Sequence, residues 1–279
     1  MKLNTYSYEN LCIYTLDYKN IGLSALHKLD QNIIEQKKYS KLKILDCNHS
    51  DIKNVDHLHD TLEVLYCGLN PYIDQNSIKN LKKLRILRCN ENAKINDVNH
   101  LANTLEELYC GNCNSVDQNG ISKLKILKIL NCCRNCEIYD VNHLADTLEN
   151  LDCSYGSGVD QKGISQLKKL RVLNCDGNKK INDVNYLTNT LEELYCGDSE
   201  CGIDQKGISG LNRLKILDCS RNEKIYDANH LANTLEVLSC ESISSIDQKG
   251  ISELKKLKTL ICNGNKKIRD VNHLANNLE

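Results

Sequence analysis

The chain has 279 residues, 26% of them charged, and a formal net charge of −1, so no global field draws it to nucleic acid or to a membrane surface. No apolar run approaches the ~20 residues that span a bilayer, and Met1-Lys2 is not followed by a signal-peptide core. One proline, no tryptophan, no phenylalanine and no Gly/Ser-rich linker leave no boundary for a second globular domain.

Residues 1 to 36 are the least regular. Leu11-x-x-Tyr14-x-Leu16 reads as a worn copy of a pattern that becomes clear further on. Leu23 to Lys38 is expected to form a helix before the first clear strand at Leu42. Stacked repeats need a terminal unit that shields the open end of their core, so residues 1–36 are assigned as an N-terminal cap containing a degenerate repeat. Nothing in them resembles an F-box.

After Asp56 the chain is a variation on one stretch, Leu101 to His143, LANTLEELYCGNCNSVDQNGISKLKILKILNCCRNCEIYDVNH. It returns from Leu144, Leu187, Leu231 and Leu274 and is already present from Leu58, in steps of 43 residues with a single step of 44. A fixed period on this scale marks a solenoid. Each long unit is two shorter ones, because Leu105-x-x-Leu108-x-Cys110 is echoed by Leu127-x-x-Leu130-x-Cys132. The echo gives about eleven rungs, marked by Cys47, Cys67, Cys89, Cys110, Cys132, Cys153, Cys175, Cys196, Cys219, Cys240 and Cys262.

Leu108 and Cys110 are two apart, so in a strand both point to one face. A single rung cannot bury that face and must stack on neighbours about 4.8 Å away in a parallel sheet. The full pattern, L-x-x-L-x-C-x-x-N-x-x-I, resembles the leucine-rich-repeat family over residues 37 to 279. The Lys-, Asn-, Ile-, Tyr- and Cys-rich wording is similar to that of leucine-rich-repeat proteins from giant amoebal viruses and their hosts. The family resemblance implies an α/β solenoid: a curved right-handed superhelix with a parallel β-sheet on the concave face. Short helices, 3₁₀ turns or loops would line the convex face.

The returns between strands come in two types, Val116-Asp117-Gln118-Asn119-Gly120-Ile121 and Ile138-Tyr139-Asp140-Val141-Asn142-His143. The Asp in each suits a helix N-cap or a turn start, and the returns are long enough for one short helix or 3₁₀ turn. Gly120, Gly163, Gly207 and Gly250 read as turn residues. His100, His143, His230 and His273 align with His57, with Tyr186 replacing one member. They recur every second rung, about 10 Å apart, which suits packing or capping rather than a shared metal. The resemblance makes Asn92, Asn135, Asn178, Asn222 and Asn265 the family's backbone-bonding asparagines. Asn70, Cys113, Gly156, Ser199 and Ile243 hold that place in the alternate rungs.

Two columns face away from the core. Glu63, Arg85, Glu106, Lys128, Glu149, Arg171, Glu192, Lys215, Glu236 and Lys258 alternate in sign from rung to rung, as expected of a self-neutralising ladder that pins register. Such a column offers a phosphate backbone little, which argues against nucleic acid. The next column contains Tyr66, Arg88, Tyr109, Asn131, Asp152, Asn174, Tyr195 and Asp218. Tyrosine and arginine are enriched at interaction hot spots, and Tyr66, Arg88 and Tyr109 fall on consecutive rungs. All eight are candidate partner-binding residues.

Cys110-x-x-Cys113 and Cys133-x-x-Cys136 match a zinc signature by count, but the repeat places Cys110 in the core and points Cys133 the other way. No metal site and no cofactor are therefore expected. Most of the sixteen cysteines occupy the inward position, where a free thiol behaves as a small apolar residue, and Cys133 and Cys201 are the expected surface thiols. Every Asp, Glu or His with a catalytic look has copies at equivalent positions, so no nucleophile–base–acid set stands out.

The expectation is a non-enzymatic module that holds a protein partner on its concave sheet, as a monomer in the cytoplasm of a cell (a host cell if the chain is viral). Leu278-Glu279 matches Leu235-Glu236, so the sequence stops just before a twelfth strand and leaves an edge that can associate. An alternative is the target-recognition subunit of a ubiquitin-ligase or effector assembly. A third is an enzyme whose site lies in residues 1 to 36 or in an extension.

Overall fold

Two compact units make up the chain, Met1–Asn131 and Cys132–Glu279. The structure, a computed structural model, describes residues 13–17, 22, 29–275 and 278. The first unit holds β1 (Thr15–Leu16), β2 (Ile44–Asp46), β3 (Val64–Tyr66), β4 (Ile86–Arg88), β5 (Glu107–Tyr109) and β6 (Ile129–Asn131). The second holds β7 (Asn150–Asp152), β8 (Val172–Asn174), β9 (Glu193–Tyr195), β10 (Ile216–Asp218), β11 (Val237–Ser239) and β12 (Thr259–Ile261). Within each unit the strands stand in chain order, every one parallel to the next.

The register follows from burial. Leu65, Leu87, Leu108 and Leu130 stand opposite one another in the first unit, and Leu151, Leu173, Leu194, Leu217 and Leu238 do so in the second. All are fully buried, and so are the cysteines two residues on, from Cys47 through Cys240. A slip of one residue would turn this whole row to solvent. The worn pattern at the start also carries a strand: Leu16 is paired with Leu45 and buried, while Leu11 lies outside the described residues. The helix expected over Leu23 to Lys38 is much shorter where it is described. A single turn at Gln31–Ile34 is capped by Asp30, and extended backbone at Gln36 separates it from a 3₁₀ turn at Lys37–Tyr39.

The two return types differ in how their first side chains cap, and one copy of the first type, where Asp247 accepts from both Lys249 and Gly250 N–H, makes a 3₁₀ turn at Lys249–Ile251 instead of a helical one. In the Asp-Gln-x-Gly-Ile type, Asp117, Asp160 and Asp204 accept the N–H three residues on and start one helical turn each, at Gln118–Ile121, Gln161–Ile164 and Gln205–Ile208. In the other type, Asp97, Asp183 and Asp227 accept from the N–H two residues on, and the chain then makes 3₁₀ turns such as Asn99–Leu101.

The glycine of the helical type is required by a close approach rather than by a turn. At Gly163 a Cβ would overlap the carbonyl oxygen of Tyr139 on the preceding return, and Gly163 itself accepts the Val141 N–H at 2.9 Å. The glutamine of the same helical turn clamps the return on the other side, the following one. Gln161 Oε1 accepts the N–H groups of Asn182 and Asp183, each at 3.0 Å, while its Nε2 donates to the Asp183 carbonyl at 2.8 Å.

The histidines occupy the matching place on the 3₁₀ turns. His100 Nε2 lies 3.0 Å from the Ile78 carbonyl and His230 Nε2 lies 3.1 Å from that of Ile208. Where Tyr186 replaces histidine, its hydroxyl donates to the Ile164 carbonyl at 2.7 Å.

Asparagine side chains seal the other end of the core. Asn178 Nδ2 donates to the carbonyls of Cys153 and Val159, and Asn222 to those of Cys196 and Ile203. Asn70 does the same in an alternate rung, toward Cys47 and Ile52. Gly156, Ser199 and Ile243 do not hold this place. Gly156 has φ +81° and Ile243 is exposed, and the buried side chains are Ser157, Cys201 and Ser244 one or two residues later. A short polar side chain at the shifted position meets the backbone that an asparagine would reach. Val159 N–H donates to Ser157 Oγ, and Cys201 Sγ donates to the Cys175 carbonyl.

Leu108→Ala or Leu173→Ala should destabilise the chain by about 2–5 kcal/mol through cavity formation, read as a lowered urea midpoint. Gly163→Ala should lower it as well, by roughly 1–3 kcal/mol, because backbone must move to admit the methyl group. Unchanged midpoints would contradict the register.

Candidate functional site

Each strand presents two side chains to the sheet face, one on either side of its inward leucine. The alternating charges sit at the entry to this face, and most of them pair across adjacent strands. Lys43 meets Glu63 at 2.8 Å, and Glu106 is held by Arg85 at 2.7 Å and by Lys128 at 2.9 Å. In the second unit Glu192 takes Arg171 at 3.0 Å and Lys215 at 2.8 Å, and Glu236 takes Lys258 at 2.6 Å. Hydrogen bonds from Arg85 and then Lys128 hold the Glu106 carboxyl down at about 2. These exposed pairs fix side chains and contribute modestly to stability.

Tyr66, Arg88 and Tyr109 stand opposite one another on β3, β4 and β5. The Arg88 guanidinium carbon lies 4.8 Å from the centre of the Tyr66 ring and 4.4 Å from that of Tyr109. The two tyrosines are on the strands flanking β4, so the cation is held between two rings. Both tyrosines are half-buried and Arg88 is exposed. The Tyr109 hydroxyl donates to Glu107 Oε2 at 3.2 Å, and burial pushes its own ionisation upward. This is an ordered aromatic–cationic patch, held by ring–cation attraction worth about 0.5–2 kcal/mol per contact.

Asn131 closes the first unit's column, opposite Tyr109. The other four candidates lie in the second unit, where Asp152 stands opposite Asn174, Asn174 opposite Tyr195, and Tyr195 opposite Asp218. Their polar side chains turn back on their own strands. Asp152 accepts from Ser154, Asn174 from the Asp176 N–H at 3.1 Å, and Asp218 from the Ser220 N–H at 2.9 Å. They therefore shape the turn that follows each strand. Tyr195 repeats the Tyr109 arrangement, donating to Glu193 at 3.1 Å. Beside them, burial raises the Asp176 carboxyl to about 6, with Asp218, Asp152 and Asp198 adding like charge against the Gly197 N–H that it accepts.

The sequence reading passed over the other outward row, the first residue of each strand. It is aliphatic in most rungs: Ile44, Val64, Ile86 and Ile129 in the first unit, Val172, Ile216 and Val237 in the second, all half-exposed. The signal was available in the L-x-x-L spacing, because both neighbours of an inward leucine must point outward. An apolar row therefore runs between the paired charges and the tyrosine column.

Cysteine positions need one correction. Cys201 is buried rather than a surface thiol: the inward place is the fourth residue after the marker cysteine at Ser157 and Ser244, and the single extra residue of this rung moves it to the fifth. Cys136 is exposed and Cys133 half-buried. Burial pushes the ladder thiols up, Cys89 and Cys132 to about 12. Cys113 Sγ donates to the Asn92 carbonyl at 3.1 Å. Among the described residues no three His, Cys, Asp or Glu side chains converge in a way that could hold a metal ion.

No family model and no curated protein sequence matches the chain. Solved structures do. An internalin, InlF, from Listeria monocytogenes is 25% identical with a TM-score of 0.61, over 85% of this chain and 78% of that one. The functional domain of InlJ from the same organism, described as including a cysteine ladder, is 23% identical with a TM-score of 0.61, over 84% of this chain and 56% of that one. A leucine-rich-repeat protein of Leptospira interrogans is 20% identical with a TM-score of 0.53, over 93% and 81%. The fold of this chain is that of the leucine-rich-repeat proteins: an α/β solenoid with parallel strands on one side and short helices and 3₁₀ turns on the other. No helix among the described residues is long and apolar enough to cross a membrane.

Asp176 supplies a pH test. Its folded value lies above that of an unfolded aspartate, near 3.9, so the native state holds the extra proton between the two. Its contribution to stability should therefore grow as pH falls from 7 toward 5. Asp176→Asn should flatten that part of the urea-midpoint profile and leave the Gly197 bond in place. An unaltered slope would contradict the assignment.

Proposed function

We propose that the chain is a non-enzymatic interaction module that holds a protein partner on its sheet face, with Tyr66, Arg88 and Tyr109 at the centre of the contact. The observation that carries this reading is the exposed cation held between two half-buried rings, next to the aliphatic pair Val64 and Ile86. Rigid aromatic area, an arginine and adjoining apolar surface are the composition of interface hot spots. Asn131 extends the same column, and Asp152, Asn174, Tyr195 and Asp218 form the corresponding row of the second unit, where Tyr195 offers the ring and the others set the turn shape. The polar groups elsewhere repeat from rung to rung in structural roles, which supports scaffolding over catalysis.

The same reading takes residues 1–36 as the cap and 37–279 as the solenoid proper, with the chain acting as a monomer. A cytoplasmic setting, in a host cell if the chain is viral, rests on the reduced-thiol character of the buried cysteine column and on the amoebal-virus wording of the repeats.

Affinity capture from an amoebal lysate with the full chain, beside a Tyr66→Ala/Arg88→Ala/Tyr109→Ala variant, tests the face. The expected result is a protein retained by the wild type and lost by a variant with the same urea midpoint. Identical captures would refute the assignment.

A further inference from the structure

We infer that Arg88 is a carboxylate receptor, taking one acidic side chain of an extended partner peptide whose neighbouring apolar residues lie on Val64 and Ile86. The inference rests on the sheet-face reading above and gives the partner a chemistry.

A guanidinium has two flat faces and a rim of N–H donors in its plane. Here Tyr66 and Tyr109 flank it from the two neighbouring strands, with ring centres 4.8 and 4.4 Å from the guanidinium carbon, which leaves the rim as the part offered to a visitor. The donors of that rim are arranged as the fork that matches a planar carboxylate through two parallel hydrogen bonds. Stacking on both sides removes most of the side chain's rotational freedom before any ligand arrives, so less ordering is left to oppose binding.

The neighbouring charges are already engaged. Lys43 pairs with Glu63, and Arg85 and Lys128 share Glu106, whereas Arg88 forms no salt bridge among the described residues. Glu107 accepts from the Tyr109 hydroxyl. Asp46, on the far side of Tyr66, is buried and accepts the Asn48 N–H at 3.1 Å. Arg88 is thus the cation of this face with a place for an anion. A single positive charge beside Glu107 suits a carboxylate, with one negative charge, better than a phosphate dianion, which calls for more than one cation. The half-exposed Val64 and Ile86, two residues before Tyr66 and Arg88 on the same strands, favour an acidic residue set among aliphatic ones.

The test uses the full chain and three fluorescein-labelled peptides read by anisotropy: alternating isoleucine and glutamate, the same with glutamine for glutamate, and the same with phosphoserine for glutamate. The glutamate peptide should bind at least tenfold tighter than either of the others. Arg88→Gln should abolish that preference, and Arg88→Lys should lose most of it, because lysine keeps the charge but neither the fork nor the stack. Tyr66→Phe/Tyr109→Phe should retain it. Equal binding of the glutamate and glutamine peptides, preference for phosphoserine, or no binding of any peptide would overturn the inference. The capture experiment keeps the two readings apart. A partner lost by the triple-alanine variant but retained by Arg88→Gln leaves the sheet-face reading standing and removes the carboxylate receptor.

Discussion

One rung of this chain cannot bury what it carries. Its inward leucine, in the middle of a three-residue strand, and the cysteine just after that strand have no core of their own and are covered only by the rungs above and below. The rest of each unit follows from that dependence. Parallel pairing in strict chain order is what repeated identical rungs allow, and the single row of buried leucines forbids a slip of one residue. Because the charged residues at the entry to the sheet recur one double repeat away, that outward column becomes a ladder without further design.

Close stacking also brings polar backbone together with little water, and two kinds of amide side chain meet most of that demand. The asparagines reach carbonyls of the preceding rung at one end of the strand, and the glutamines clamp three backbone groups of the following return at the other. Histidine or tyrosine takes one more carbonyl per double repeat. Such groups, left unbonded in a buried site, would each disfavour folding by about 1–3 kcal/mol. Among the described residues no buried side-chain nitrogen or oxygen lacks a partner.

Much of this was legible from spacing. Leu105-x-x-Leu108-x-Cys110 placed the strands, the inward rows and the charge ladder, and Tyr66, Arg88 and Tyr109 fell on adjacent strands as their positions implied. What spacing could not convey is how a departure is absorbed. At Gly156 and Ile243 the repeat keeps its length, yet the buried place passes to Ser157 and Ser244, because the core selects a small polar side chain over a nominal position. The turn after each strand was equally hidden. The second residue after every marker cysteine is left-handed, yet only Gly177 and Gly264 announce it, while Leu69, Arg134 and Tyr155 adopt the same conformation at some local expense. The cation between two rings could be placed on one column by counting, but its stacking depends on side-chain rotamers that no periodicity records.

Site-specific photo-crosslinking tests the central claim most directly. Benzoyl-phenylalanine replaces Tyr66 on the sheet face in one version of the chain and Tyr72 on the return side in another, and each is irradiated in lysate. A discrete protein adduct from position 66 and none from position 72 is the predicted result. An adduct from position 72 alone would place the partner on the opposite side of the molecule and contradict the account.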